Sequence, residues 1–343
     1  MTIKEIIAKY DPSNQFEVLT KTHEQIEYAW NNKIDLSRIK VKGIENIILS
    51  GLGGSAISGD LFSNFFNEEL EYPFFVNRNY TLPPFADKNT LVIISSYSGN
   101  TEETISVLNH ALKKKCRIVC ITSGGKIEKI AEKNKIPVVK ILPGFHPRYA
   151  LGLSFFSLLK VMNKLKIVEV KNSLVNSIIK FYKEKAAEYS KEKNPAILYA
   201  EQILGSIPVI YSAEGYTSSV GYRFKCQFNE NSKLNAYHNV LPEMNHNEIV
   251  GWESFNENQK LIVFNIIDKN YPAQIKKRFS VTNEILAKAK VEVINLESNE
   301  KSFKVRLMDL IYLCDWITYY TGILRGFNPA EIDNIDFLKN KLK

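Results

Sequence analysis

The 343-residue sequence lacks the long apolar stretches that a membrane-spanning helix requires. No run of about eighteen or more apolar residues occurs in it, so we expect no transmembrane segment. Residues 1–16 contain acids and turn-forming residues where a secretory signal peptide would need an unbroken apolar run. These absences predict a cytoplasmic protein.

Cysteine and histidine are too sparse and too scattered for a metal site or a disulfide framework. The four cysteines include no Cys-x-x-Cys pair, and the five histidines show neither His-x-His nor His-Glu-x-x-His spacing. We therefore expect no disulfide scaffold, no bound metal and no cofactor.

The sequence is basic but has no nucleic-acid-binding signature. Its 45 Lys and Arg residues outnumber its 37 Asp and Glu residues, and the formal net charge is +8. The positive residues are scattered, and no basic stripe interleaved with aromatics accompanies them. We expect a solvated basic surface that attracts small anionic substrates, with no nucleic-acid or membrane partner.

The sequence does contain a repeated alternation of short apolar segments with longer amphipathic ones. Apolar, β-rich segments separated by helices are typical of parallel sheets that are covered on both faces. The predicted strands are residues 44–50, 90–95, 117–122, 136–141, 207–212, 260–266 and 290–296. The predicted helices are residues 58–66, 102–115, 127–133, 217–229, 275–289 and 302–324. The pattern predicts an α/β fold of two similar three-layer αβα modules, and their repetition suggests internal duplication.

The same pattern divides the sequence into four segments. Residues 1–39 are predicted to form an N-terminal helical segment, and residues 40–165 a first α/β domain. A lysine-rich helical connection over residues 166–202 leads to a second domain, residues 203–343, which includes a long helix and a short basic tail.

A glycine-rich turn follows the first predicted strand, where residues 51–60 read GLGGSAISGD. Such a turn lets the backbone approach a ligand and directs free N–H groups at the start of the next helix. Open α/β sheets bind ligands at the carboxyl ends of their strands. The turn predicts an anion site, with a purely structural turn or a dinucleotide site as the alternatives.

A hydroxyl-rich turn follows the second predicted strand. Its residues Ser96, Ser98 and Thr101 could all donate to one phosphate, whereas a helix cap needs only one hydroxyl. A dinucleotide site would instead require an acidic residue at the end of this strand to bind the ribose. Together with Ser55 in the first turn, these hydroxyls favour a phosphate cradle.

The second module lacks a matching pair of turns and instead gathers acids with a histidine. Residues 228–248 contain Glu230, Glu243, His246 and Glu248. A carboxylate base and an imidazole can act on different atoms of one substrate. The segment therefore predicts proton transfer. The alternative is that it is only a polar connection that contains helix caps.

These motifs resemble those of the sugar isomerase (SIS) domain family, specifically of its two-domain bifunctional phosphoglucose/phosphomannose isomerases. The similar motifs are, in order, residues 53–55, 96–101, 229–233, 242–247 and, in the tail, 335–339. The resemblance covers nearly the whole chain and implies two SIS domains. The hydroxyl-rich turn is shared by all phosphosugar-binding SIS domains, so it is the segment from Glu230 to His246 that distinguishes one reaction from another.

The resemblance implies a role for each matched residue. Glu230 would be the base that moves a proton between C1 and C2 through a cis-enediol intermediate. His246, contributed by the neighbouring subunit of a homodimer, would assist ring opening. Lys339 would act at the ring oxygen, and Arg148 would stabilise the enediolate. The residues implied in binding the 6-phosphate are Gly53, Gly54, Ser55, Ser96, Ser98 and Thr101.

The implied activity is aldose–ketose isomerisation that interconverts glucose 6-phosphate, and mannose 6-phosphate, with fructose 6-phosphate. Three other functions stay open: a non-catalytic SIS protein that senses a phosphosugar, a nucleotide-dependent oxidoreductase, and an isomerase of amide-using or acetylated sugar phosphates. Lys341 and Lys343 offer competing registers for the tail lysine.

Overall fold

The computed structural model describes residues 2–342, which pack as two compact units. The first unit consists of residues 21–181, and the second consists of residues 182–342 together with residues 2–20. Each unit is built on one parallel sheet flanked by helices. This confirms the predicted α/β class.

The N-terminal residues pack with the second unit. They form α1 (Ile3–Tyr10) and α2 (Gln15–Thr20). The Tyr319 hydroxyl donates to the Asp11 carboxylate at 2.9 Å, and the Tyr312 hydroxyl donates to the Leu19 carbonyl at 2.7 Å. Packing thus divides the chain at other positions than residues 40, 166 and 203, and the four segments proposed above stay a prediction about sequence modules.

The first unit contains a five-stranded sheet in the order β2–β1–β3–β4–β5. All six residues of β3 are buried, as expected for a parallel strand covered on both faces. The strands are β1 (Asn46–Ser50), β2 (Phe74–Asn77), β3 (Thr90–Ser95), β4 (Arg117–Thr122) and β5 (Val138–Lys140). The helices are α3 (Thr22–Asn31), α4 (Gly53–Phe65), α5 (Glu102–Lys113), α6 (Gly125–Lys133) and α7 (Leu151–Lys164), and α8 (Asn172–Tyr189) continues into the second unit.

The second unit contains a four-stranded parallel sheet in the order β7–β6–β8–β9. This order matches β2–β1–β3–β4 of the first unit strand for strand, as the predicted duplication requires. The strands are β6 (Ile207–Ala213), β7 (Tyr237–Leu241), β8 (Leu261–Ile267) and β9 (Glu292–Glu297). The helices are α9 (Pro195–Ile203), α10 (Ser218–Ser232), α11 (Ala273–Lys288), α12 (Phe303–Leu324) and α13 (Asp333–Lys341).

Helix α12 is the central element of the second unit and is buried along most of its length. It is nevertheless too polar to cross a membrane, and no other helix within residues 2–342 is long and apolar enough to do so.

Two strands and one helix were not predicted from the sequence. β2 and β7 are short edge strands whose residues are mostly half-buried or exposed; β2 has only three consecutive apolar residues, and β7 contains a histidine and an asparagine. The predicted basic tail forms α13, which has no buried residue. Helix α4 begins at Gly53 rather than at residue 58, so the glycine-rich turn is the first turn of a helix.

Candidate active site

The strand order of the first unit creates a crevice at the carboxyl ends of β1 and β3. These two strands pair in parallel, and the chain leaves β1 towards β2 on one side and returns to β3 on the other. Such a switch point is where open α/β sheets bind ligands. Helices α4 and α5 both begin there, so the partial positive charge of two helix N-termini faces the crevice.

The two sequence-predicted turns meet in this crevice. The backbone N–H of Tyr97 donates to the Ser55 hydroxyl at 3.2 Å and so joins the second turn to the first. Gly53 and Gly54 are the first two residues of α4, directly before Ser55. The structure therefore brings the residues predicted to hold phosphate into one place.

The hydroxyls of the second turn are not used as helix caps. Thr101 is the N-cap residue of α5, but its side chain makes no capping hydrogen bond. Its hydroxyl lies 2.9 Å from that of Ser96, and the Ser98 hydroxyl accepts from the Asn100 N–H at 3.2 Å. One hydrogen bond uses only one of the two O–H donors of the Ser96–Thr101 pair. The other donor can serve an anion.

Arg148 lies beside the glycine turn because of a close backbone approach. A Cβ atom on Gly54 would lie 2.5 Å from the Pro147 carbonyl oxygen and 3.2 Å from the Arg148 backbone nitrogen, so only glycine permits this contact. Arg148 is 3% exposed, and its guanidinium carbon lies 5.4 Å from the centre of the Tyr149 ring. The segment that carries the predicted arginine is thus packed onto the predicted phosphate turn.

Tyr97 is a residue of this site that the sequence reasoning did not single out. Its hydroxyl donates to the Leu142 carbonyl at 2.9 Å and accepts from the Phe145 N–H at 2.8 Å. Burial raises the pKa of the Tyr97 phenol. The side chain therefore joins the hydroxyl-rich turn to the segment that leads to Arg148, and a lone aromatic inside a serine-rich turn was the available signal.

Glu230 lies in the last turn of α10, which is fixed onto α12. The Asn231 side chain donates to the Thr318 hydroxyl at 3.1 Å, and the Ser232 hydroxyl donates to the Thr318 carbonyl at 2.6 Å. Glu230 itself is half-buried. Its neighbours therefore hold the backbone of the predicted base while its side chain keeps access to solvent.

Lys233 adds a clamp at the same turn, and it was not predicted either. Its ammonium group donates to the Glu230 carbonyl at 2.8 Å and to the Asn328 carbonyl at 2.6 Å. Lys233 is the C-cap of α10 and has a left-handed backbone conformation. The clamp joins the turn that bears Glu230 to the chain segment that leads into α13.

Lys339 lies on α13, where its side chain is 62% exposed and its ammonium group is 3.8 Å from the Asp336 carboxylate. The structure therefore does not bring this lysine against Glu230. Lys341 lies on the same exposed helix, and Lys343 lies outside the described residues.

His246 and Glu230 lie at opposite ends of the strands of the second sheet. Helix α10 begins after the carboxyl end of β6 and ends before the amino end of β7. Glu230 lies about 18 Å along this helix from its start, and therefore near the amino ends of the strands. His246 ends a 3₁₀ turn, Glu243–His246, that follows the carboxyl end of β7. Because β6 and β7 are parallel, the two residues of one chain do not meet.

His238 is a packed histidine inside the second unit. Its Nε2 atom lies 2.7 Å from the Ser212 hydroxyl oxygen, and a Cβ on Gly221 would lie 2.5 Å from Nε2. Burial, aided by the charge of Lys225, lowers the pKa of His238 to about 4. This neutral histidine is explained by its packing.

The described residues offer no grouping suited to a metal ion. Within residues 2–342, no three His, Cys, Asp or Glu side chains come together as ligands. The four cysteines are free thiols, and burial raises the pKa of Cys116 to about 11 and that of Cys120 to about 12. Those two thiols are protonated at neutral pH and so are poor nucleophiles.

Two family models match the chain. Residues 41–138 match the SIS domain, and residues 192–342 match the bacterial phospho-glucose isomerase C-terminal SIS domain. Both predicted SIS modules are therefore recognised independently.

Relatives of the whole chain agree with these matches. A bifunctional phosphoglucose/phosphomannose isomerase of Caldicellulosiruptor bescii is 37% identical over 95% of this chain and 98% of its own length. The enzyme of the same name from Aquifex aeolicus is 35% identical over 87% of this chain and 91% of its own. A hypothetical protein from Thermus thermophilus shares the fold, with a TM-score of 0.75 at 17% identity over 99% of this chain and 92% of its own. The chain belongs to the SIS-domain family of bifunctional phosphoglucose/phosphomannose isomerases.

Proposed function

We propose that this protein is an aldose–ketose isomerase that interconverts glucose 6-phosphate, and mannose 6-phosphate, with fructose 6-phosphate. The observation that carries the proposal is the crevice between β1 and β3, where two helix N-termini and the hydroxyls of Ser55, Ser96 and Thr101 converge. Donors and positive partial charge in one place suit a phosphate monoester, which has three acceptor oxygens. The names of the relatives point to the same substrates.

In this proposal, phosphate binding positions the sugar and Glu230 performs the proton transfer. The C–H proton next to a carbonyl is weakly acidic, and a carboxylate can remove it if the developing oxyanion is stabilised. In this mechanism Arg148 supplies positive charge for that purpose, and Lys339, which lies exposed on α13, acts separately at the ring oxygen. Acid–base catalysis of this kind contributes roughly 10²–10⁴-fold, and positioning through the phosphate supplies much of the rest.

A single site can serve both aldoses. Glucose 6-phosphate and mannose 6-phosphate differ only in configuration at C2, and removal of the C2 proton abolishes that difference. A cis-enediol formed from either epimer is therefore the same intermediate.

The location of His246 favours a homodimer with composite sites. Glu230 and His246 of one chain lie at opposite ends of the strands of the same sheet. An imidazole that assists ring opening next to Glu230 would therefore come from the second subunit. Mixing two inactive variants tests this arrangement. Refolded together, Glu230→Gln and His246→Ala chains should recover about a quarter of wild-type activity, because half of the dimers carry one intact site. No recovery, or a fully active monomer, would rule out the shared site.

The proposed function is tested by coupled assays that start from fructose 6-phosphate and detect both aldose 6-phosphates. Glu230→Gln should lower turnover to both products by roughly 10³-fold, while 6-phosphogluconate still binds. Glu253→Gln, which changes an exposed acid of the second unit, is the matched control and should keep wild-type turnover. Unchanged turnover in Glu230→Gln would remove this residue from the chemistry, and ligand binding by an inactive wild-type protein would identify a phosphosugar sensor.

A further inference from the structure

The loop that carries His246 combines an exposed imidazole with anchored neighbours. Within residues 2–342 the His246 ring has no hydrogen-bond or ion-pair partner, and the residue is exposed. Met244, two residues earlier, is fully buried. The neighbouring residues therefore have to fix the backbone of an imidazole that makes no hydrogen bond or ion pair of its own within the described residues.

Glu248 provides the strongest polar anchor of this loop. One of its carboxylate oxygens accepts from the Tyr211 hydroxyl at 2.7 Å, and the other accepts from the Asn239 side-chain nitrogen at 2.7 Å. Tyr211 on β6 and Asn239 on β7 are paired residues of neighbouring strands. The carboxylate thus ties the chain two residues after His246 to two strands of the sheet.

Both partners of Glu248 are obliged to act as donors. The Tyr211 hydroxyl, which is fully buried, already accepts from the Trp252 indole N–H at 2.9 Å, so its own proton is directed to Glu248. The Asn239 side-chain oxygen accepts from the Val240 N–H at 2.8 Å, which fixes the amide with its NH₂ group towards Glu248. A carboxylate satisfies two facing donors, whereas an amide side chain would turn its own NH₂ group against one of them.

A second tether holds the residue just before His246. The Asn245 side-chain nitrogen donates to the Thr282 hydroxyl at 3.0 Å, and its oxygen accepts from Arg278 at 3.3 Å. Both partners lie on α11. His246 therefore lies between two anchored positions, one on α11 and the other on the sheet.

We propose that Glu248 is a positioning residue for His246 and acts through its hydrogen bonds to Tyr211 and Asn239. The proposal rests on the proposed function, in which His246 assists ring opening on a bound sugar phosphate. Holding the backbone on both sides removes motion that an exposed imidazole would otherwise lose only on meeting the substrate. Glu248 makes no contact with the substrate in this arrangement.

The substitution Glu248→Gln tests the proposal because it keeps the shape of the side chain and turns an NH₂ group against one of the two donors. We expect kcat to fall about 10-fold or more, since misplacement by about 1 Å can cost 10²-fold, with KM within about 3-fold of wild type. The inhibition constant of 6-phosphogluconate, an open-chain phosphate that needs no ring opening, should stay within about 2-fold. Glu253→Gln, which removes an exposed charge from the 3₁₀ segment Glu248–Ser254, is the matched control for kcat.

A paired exchange supplies the rescue. In Asn239→Asp/Glu248→Gln the new Asp can still accept from the Val240 N–H, and the new Gln can donate to it while accepting from Tyr211. We expect this double variant to recover kcat to within about 3-fold of wild type, although Asn239→Asp alone should be as impaired as Glu248→Gln. A role confined to stability would instead lower the melting temperatures of the single variants and leave their kcat, measured well below melting, unchanged.

Two results would overturn the proposal. One is a folded Glu248→Gln variant with the kcat of Glu253→Gln, and the other is a folded double variant that stays below about a tenth of wild-type kcat. If the single variant does not fold, the double variant decides by the same thresholds. These outcomes are separate from the proposed function, which fails only if the wild-type protein lacks isomerase activity or Glu230→Gln keeps it.

Discussion

Arg223 and Asp315 form a bidentate ion pair inside the second unit, with Nε–Oδ1 and Nη2–Oδ2 distances of 2.9 and 2.8 Å. Both residues are buried, and the Gln227 side chain donates to the same carboxylate at 3.0 Å. Arg223 lies roughly two helical turns before Glu230 on α10. The pair therefore fixes the helix that carries the proposed base onto α12.

Removing one partner of this pair should destabilise the second unit strongly. Asp315→Asn leaves the Arg223 charge buried without its counter-charge, which costs about 3–5 kcal/mol of unfolding free energy. Urea unfolding followed by circular dichroism measures the loss. Glu188→Gln, which breaks the more exposed Lys185–Glu188 pair of the same unit, should cost less than about 1 kcal/mol. Equal losses in the two variants would contradict the structural role assigned to the buried pair.

Gly54→Ala should damage the phosphate crevice by steric conflict. The new Cβ would lie 2.5 Å from the Pro147 carbonyl oxygen, and the backbone of one segment must shift. We expect a loss of about 1–3 kcal/mol in stability and a KM for fructose 6-phosphate that rises about 10-fold or more. Gly251→Ala, where no atom lies within 4 Å of the added Cβ, is the control and should be neutral. A neutral Gly54→Ala would mean that the approach of Pro147 and Arg148 to the turn is not required.

Loss of a crevice hydroxyl should weaken substrate binding more than turnover. Ser96→Ala and Thr101→Val each remove one member of the 2.9 Å hydroxyl pair, and a hydrogen bond to a charged group contributes about 1.5–3 kcal/mol. Steady-state kinetics should therefore show KM raised roughly 10- to 100-fold, with kcat changed much less. The control is Ser58→Ala, because the buried Ser58 hydroxyl donates to the Ser55 carbonyl within α4. Unchanged KM values would remove these hydroxyls from phosphate binding.

Acidification should destabilise the protein partly through His238. Its pKa is lowered from 6.5 to about 4 in the folded protein, so between these values the unfolded chain binds more protons. The stability that neutral His238 contributes is present above pH 6.5 and is lost as the pH falls towards about 4, by up to roughly 3 kcal/mol. In His238→Gln, the advantage of the wild type measured at pH 7 should shrink by that amount at pH 4. Parallel pH profiles of the two proteins would contradict this explanation.

Much of the fold could be predicted because its signals are local. β1, β3, β4, β6 and β8 are largely apolar runs, and α5 and α6 bury residues at helical spacing on one face. The turns after β1 and β3 were identified by their own glycines and hydroxyls. Because the carboxyl ends of parallel strands lie at one edge of a sheet, the meeting of Ser55 with the hydroxyl-rich turn could be expected once the strands before the two turns were taken as neighbours.

The remaining features depend on contacts between residues far apart in the chain. The edge strands β2 and β7 are defined by pairing with β1 and β6, which no local apolar pattern reveals. Glu248 is held by the Tyr211 hydroxyl, which in turn accepts from Trp252. These contacts form only because two strands and a 3₁₀ segment come together in the folded chain. The sequence by itself determined which residue types are available for phosphate binding and proton transfer. Only the tertiary structure decided that Glu230 and His246 lie at opposite ends of the strands of one sheet, because that separation follows from the parallel crossover through α10.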